Sequence, residues 1–206
     1  MATTFKTLNS ANDVTSTRTL LHEAIPLTGT IASGTYSDAN IKTYSHGMFE
    51  SVYDYPVLSS SANHIFDITT GYASNSSLSG SGVQNSKKLN VYSQMAQVLV
   101  GYDATGSIQN FDQDGDIATV GTKINEAIFV NFSRLLTKDE IKKGSFIASF
   151  LTGGTPAART DTLTLQDHEG ATSYKVNSPA GEYGILYTSS VGITANSGVG
   201  LVYYQA

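Results

Sequence analysis

The sequence predicts a mainly β protein: an antiparallel β-sandwich or barrel-like domain with one medium helix and one short helical turn. Three observations predict it. Runs of β-branched and aromatic residues recur along the chain, bounded by Gly, Pro, Asn and Ser. In the last third, turn signals return roughly every 8–12 residues, the rhythm of a sandwich or barrel. Helical periodicity is confined to two stretches, one of them very short.

Residues 1–20 are polar, weakly patterned and rich in Thr, Ser and Asn, and read as an extended N-terminal arm. Residues 21–206 read as a single mainly-β domain, with continuation past Ala206 left open. In "TLLHEAIPLTGTI", Leu20, Leu21, Ile25, Leu27 and Ile31 mark short extended pieces broken by Pro26 and Gly29. "MFESVYDYPVL" puts Phe49, Tyr53, Tyr55 and Val57 on one side of a strand, and Pro56 marks its edge or end. "NHIFDITTGY" is a second β-branched and aromatic run, followed by the Ser/Gly/Asn-rich loop 73–86. Next, "SKKLNVYSQMAQVLVG" spaces Leu89, Tyr92, Met95, Ala96 and Leu99 as one face of a helix over about 87–100. Ser86 is its expected N-cap and Gly101 its stop.

After a long loop, "NEAIFVNFSRLL" alternates two mostly apolar sets and predicts a strand buried on both faces. The charge-dense piece "FSRLLTKDEIKKGSF" contains a Thr137/Glu140 capping box, acids in the first turn and lysines in the last. It predicts a helical turn at about 138–143, ended by a left-handed Gly144. Capping accounts for these charges without a catalytic role. In the last third, "DTLTLQD" is expected to turn through "HEG" into "ATSYKVNS", followed by "GEYGILYTSS" and "GVGLVYYQA".

Composition narrows the function. The 206 residues carry 12 Lys+Arg and 17 Asp+Glu, a formal charge of −5, with no basic run to hold a nucleic acid. Only 14% of residues are charged, so little ionic desolvation opposes contact with neighbouring chains. Cysteine is absent, which removes disulfides and thiolate metal sites. No stretch approaches the ~20 apolar residues of a membrane helix. The first 27 residues lack a basic n-region followed by an apolar core, so no secretory signal is expected there.

The best metal candidate is "NFDQDGDIATVG". Asn110, Asp112, Asp114 and Asp116 alternate around Gly115, much as oxygen ligands do in a Ca²⁺ loop. Its twelfth place is Gly121, where a bidentate Glu is needed, so a polar Asp/Gly turn is the stronger reading. His22, His46, His64 and His168 are far apart and form no metal-binding spacing. No G-x-S-x-G elbow, Walker loop or dinucleotide fingerprint occurs. The expectation is no catalytic residue, no cofactor and no enzyme. Tyrosines outnumber phenylalanines, 12 to 8, which suits protein interfaces and also sugar stacking.

Five blocks, "EAIPLTGTI", "YSHGMFESVYDYPVLSSSANHIFDIT", "KKLNVYSQMAQVLVGYDATGSIQNFD", "INEAIFVNFSRLLTKDEIKKGSF" and "VNSPAGEYGIL", span most of the chain. Together they resemble structural proteins of marine T4-like myoviruses, the cyanophage type of tailed phage. The resemblance implies a virion subunit, assembled in the host cytoplasm, whose partners are copies of itself and other virion proteins. Neck, tail, baseplate or fibre attachment are the implied positions. A capsid decoration protein is one alternative. A glycan-binding receptor module or tail-associated depolymerase is another, motivated by the Tyr-rich strands and acidic loops.

Overall fold

A computed structural model describes residues 38–115, 117, 121–133, 140–154, 158, 160–188 and 198–205. The expected arm, the pieces between Leu20 and Ile31, His22, Asp116 and Thr137 lie outside them.

A short 3-10 turn, Asp38–Asn40, leads into the first sheet. Its strands are β1 (Ile41–Thr43), β2 (Glu50–Tyr53), β3 (His64–Tyr72) and β6 (Glu126–Phe132), antiparallel in the order β1-β2-β3-β6. Between β3 and β6 come helix α1 (Val83–Leu99) and a two-stranded ribbon, β4 (Phe111–Asp112) with β5 (Lys123–Ile124). The second sheet contains β7 (Ile147–Thr152), β8 (Asp161–Gln166), β9 (Lys175–Ser178), β10 (Gly181–Tyr187) and β11 (Gly198–Tyr203). Its order is β11-β10-β8-β7, with β9 also on β10. The fold is therefore mainly β and antiparallel, as the turn rhythm predicts, and consistent with a sandwich-like arrangement. Among the described residues no helix is long and apolar enough to cross a membrane.

Helix α1 lies against β3, where Gly71 lets it come close. A β-carbon at Gly71 would stand 2.9 Å from the Tyr92 amide nitrogen and 3.1 Å from the Lys88 carbonyl oxygen. The buried face of α1 is Val91, Tyr92 and Ala96, with Met95 and Leu99 packed against the same cluster. The helix begins earlier than expected, at Val83 with Gly82 as N-cap, so Ser86 is not the cap. The Asn85 side chain bonds the Gly80 carbonyl at 2.7 Å and accepts from the Tyr72 hydroxyl at 3.2 Å, fixing that earlier first turn. The stop is where the sequence places it. Gly101 takes φ +90, and its N–H and that of Val100 both bond the Ala96 carbonyl.

Two apolar clusters share the second sheet. One unites Ala73, Tyr92, Ala96, Val100, Phe111, Ile117 and Tyr183. The other unites Ile141, Phe146, Leu186, Val202 and Tyr204, joined by Phe132 from the first sheet. Alternation on β10 and β11 sends Tyr183, Leu201 and Tyr203 to the first, and Leu186 and Val202 to the second. Strand β10 is thus buried on both faces, with Tyr183 to Tyr187 all covered.

That role was expected for β6, and the structure corrects it. Strand β6 is the edge of its sheet, and Ile128 is 59% exposed on the face opposite the helix. A run that is apolar on both faces needs two covering layers, and β6 has one complete. The expected hairpin from "DTLTLQD" into "ATSYKVNS" is also corrected. A helical turn, α2 (Gly170–Ser173), intervenes, and β8 and β9 pair separately with β10. Of the helical turn expected at about 138–143, Glu140 to Lys142 are not helical, while Gly144 does take φ +75. Backbone bonding explains the irregularity: the Ile141 N–H is given to the Tyr204 carbonyl at 3.0 Å. The Glu140 carboxylate accepts from the Gln205 amide at 2.7 Å.

Candidate functional site

The Asp-rich turn joins β4 to β5. Its Asp112 is 1% exposed, and its carboxylate is held by the Lys123 ammonium across the ribbon. The Asp114 N–H bonds Asp112 Oδ1 at 3.0 Å. Burial acts to raise the Asp112 pKa. The Asp114 side chain, the Lys123 ammonium and the Asp114 N–H outweigh it, and the pKa falls below the ordinary Asp value. Asn110 goes elsewhere, whereas Asp114 stays beside Asp112 and also borders another hollow. The Asn110 amide reaches Asn125 at 3.4 Å, and Asp114 lines a separate concavity of about 180 Å³ with Glu169, Ser173, Lys175 and Tyr187. Asp116 lies outside the described residues. Positive charge at Asp112 is thus supplied by a lysine, and no described group of three His, Asp or Glu could hold a metal.

Ser51, Asp67 and His64 bring hydrolase ingredients together on β2 and β3, but in the wrong order. The Ser51 hydroxyl donates to Asp67 Oδ1 at 2.5 Å, and His64 Nε2 lies 2.8 Å from that same oxygen. The carboxylate stands between hydroxyl and imidazole, so this trio gives the serine no general base. His46 stacks on Tyr44 at 5.1 Å, and His168 lies 5.5 Å from the Tyr187 ring.

Asp167, 0% exposed, is the most buried carboxyl among the described residues. The Tyr204 hydroxyl lies 3.1 and 3.0 Å from its two oxygens, and the Gly144 N–H bonds Oδ2 at 3.0 Å. Burial raises its pKa above the ordinary Asp value, although the Gly144 N–H, the Tyr204 hydroxyl and His168 oppose the shift. The native state therefore keeps this proton better than the unfolded state does. The associated stability is fully present below the unfolded value of 3.8 and is lost as pH rises through the native one. Urea midpoints across mildly acidic pH will fall with rising pH in the parent and stay flatter in Asp167→Asn. Parallel curves would refute the assignment.

Around the end of α1 the chain builds a larger concavity, about 510 Å³. The Ser178 hydroxyl donates to the Leu99 carbonyl at 2.5 Å, capping a free helix-end acceptor and bringing the β9–β10 turn to the helix. Pro179 thereby closes over Gly101. Tyr102 and Gln109 also line the concavity, linked by the Gln109 Nε2 bond to the Tyr102 carbonyl at 2.9 Å. Asn177 and Ile117 also line it. The Asn177 amide donates to the Gly115 carbonyl at 2.9 Å, and its Oδ1 lies 2.8 Å from the Tyr183 hydroxyl. Ile117 has φ +53, a left-handed conformation for a β-branched residue. Such strain costs about 1–3 kcal/mol and persists only where the surroundings impose it.

The β7–β8 hairpin carries several exposed apolar side chains. Six residue pairs run from Ile147↔Gln166 to Thr152↔Asp161, yet the only register joining it to β10 is Tyr187↔Gln166. Beyond that point it is a two-stranded ribbon, and Ile147, Leu151 and Leu163 are 51%, 67% and 39% exposed. Asp161 is the only charged residue of its two strands.

Sequence reasoning singled out none of these three last features. Asp167 meets Tyr204 across 37 residues, and the large concavity gathers four separate segments. The exposure of the hairpin has a faint signal in its Ser/Thr-interleaved apolar alternation. Comparison of the chain with protein-family models, curated proteins and solved structures returns no match.

Proposed function

We propose that this chain is a non-enzymatic structural subunit of a tailed-bacteriophage particle, of the marine T4-like myovirus type. It assembles as a symmetric oligomer in the neck, tail, baseplate or fibre-attachment region. The observation that carries the reading is the projecting β7–β8 hairpin. A two-stranded ribbon is marginal alone in water, and one bearing Ile147, Leu151 and Leu163 in the open gains most by packing on a neighbour. The low charge density and the five phage-like sequence blocks support the same reading.

Light scattering on the purified chain will give a defined oligomer, and Leu151→Asp will shift it to monomer with an unchanged far-UV spectrum. Mass spectrometry of purified particles will contain the chain's peptides. A monomeric parent, or particles without the chain, would overturn the reading.

A further inference from the structure

We propose that Asp112 and Lys123 condense after folding into a side-chain amide, an isopeptide bond that closes the β4–β5 ribbon covalently, with Asp114 relaying the protons. The site is independent of the assembly role. Three features of the ribbon point to that chemistry. First, the reacting groups are already in contact. Asp112 and Lys123 are paired residues on neighbouring strands, and the Lys123 ammonium meets Asp112 Oδ2. The Ile117 carbonyl lies 3.4 Å from Lys123 Nζ and helps to aim it. Well-oriented groups reach effective molarities of about 10⁵–10⁸ M, which offsets the preference of a free ammonium and carboxylate to stay apart in water.

Second, the Asp112 side chain has no solvent access. Gly121 closes over it, for a β-carbon there would stand 2.7 Å from Asp112 Oδ2. An amide formed at this place is shielded from hydrolysis. The Lys143–Glu182 pair, at 2.5 Å, is the contrast: solvent reaches 26% and 18% of its side chains, so it stays an ion pair. Third, a second carboxyl attends the pair. The Asp114 N–H bonds Asp112 Oδ1 at 3.0 Å, and the Asp114 side chain is hydrogen-bonded to Asp112. A carboxylate so placed can accept a proton and return it. Asp114 also borders the hollow beside Glu169 and Lys175, an exit for the water released.

The step balances within the chain. One ammonium proton passes to the Asp112 carboxylate, leaving amine and acid neutral. The Nζ lone pair attacks Asp112 Cγ and the C–N bond forms. Asp114 takes a proton from the nitrogen and returns it to the Asp112 hydroxyl. The Cγ–O bond breaks, water leaves, and the remaining oxygen becomes the amide carbonyl. Nothing is oxidised or reduced. The lowered Asp112 pKa makes the first transfer uphill, so the freshly folded chain carries the ion pair and condensation follows slowly.

Trypsin digestion and mass spectrometry of the full chain, freshly purified and after several days at neutral pH, will test this. An acylated lysine resists trypsin, so residues 89–134 will accumulate as one peptide lighter by one water, and fragmentation will place the link at Asp112. Lys123→Arg keeps a cation without a nucleophile, and it will stay at full mass and be cut after position 123. Asp114→Ala keeps the backbone bond to Asp112 and will slow the water loss at least about tenfold. Far-UV spectra will show both variants folded. Full cleavage after Lys123 at unchanged mass in the incubated parent would overturn the proposal. So would a link at another acid, or water loss with cleavage retained, which belongs to a succinimide at Asp114–Gly115. An unchanged rate in folded Asp114→Ala would overturn the relay.

Discussion

Replacing Tyr92 with alanine will destabilise the protein by roughly 3–5 kcal/mol, seen as a lower urea midpoint at unchanged slope. Tyr92 is 2% exposed and holds three elements together. Its ring meets Phe111 edge-on at 5.4 Å and Phe129 at 6.3 Å. The hydroxyl donates to the Ile124 carbonyl at 2.6 Å and accepts the Phe111 N–H at 3.2 Å, bridging both strands of the β4–β5 ribbon. Collapse cannot relieve the cavity, because α1 already touches β3 at Gly71. The expected cost therefore sits in the upper half of the range.

Tyr92→Phe separates the packing from the bridge. It keeps the ring but strands a buried carbonyl and a buried N–H, a loss of about 1–3 kcal/mol. A neutral Tyr92→Phe would show that the hydroxyl does not hold the ribbon. Burial, with the nearby Glu126 charge adding and the Phe111 N–H opposing, pushes the Tyr92 pKa up to about 12. The unfolded chain thus ionises first as pH climbs from 10. Stability is present below 10 and declines towards 12, and part of that decline disappears in Tyr92→Phe.

Removing the ammonium of Lys123 will have the second largest effect, about 3 kcal/mol for Lys123→Met. Asp112 has no solvent access at its side chain, whereas that of Lys123 is 24% accessible. Losing the lysine leaves a buried carboxylate without its counter-charge, the costly half of a broken pair. The partial access of Lys123 keeps the loss at the low end of the roughly 3–5 kcal/mol known for such pairs. Adding Asp112→Asn to Lys123→Met removes the stranded charge and will restore much of the stability. A double variant as weak as the single would refute the pairing. The acid limb has the opposite sign to that of Asp167. The Asp112 pKa is depressed, so its contribution is present above 3.8 and lost as pH falls below it. Lys123→Met will lose less on acidification than the parent.

Both effects fall on residues that the sequence treated differently. Tyr92 stands out in sequence as one apolar position on a helical face, and its burial follows from that spacing. Its hydroxyl partners, 19 and 32 residues away, do not. Asp112 is legible as a turn aspartate, and the same spacing suggests a cation loop. Lys123 stands 11 residues on, in β5, and only strand pairing brings its ammonium to the carboxylate. The left-handed Gly101 and Gly144 were legible because a helix stop and a turn each need a residue without a β-carbon.

What the sequence by itself determined was local: the antiparallel β character, the existence of α1 and most of its buried face, its Gly101 stop, and the scarcity of charge. These follow from periodicity and backbone propensity, which act over a few residues. The tertiary structure alone decided that β10 rather than β6 is covered on both sides, and that β8 and β9 meet β10 separately. It also decided that Asp167 is buried against Tyr204, and that four segments line a hollow at the end of α1. Those outcomes depend on which layer covers which face. Covering is a long-range competition between sheets, settled by burial and by close approaches such as Gly71 on α1, and no window of sequence contains it.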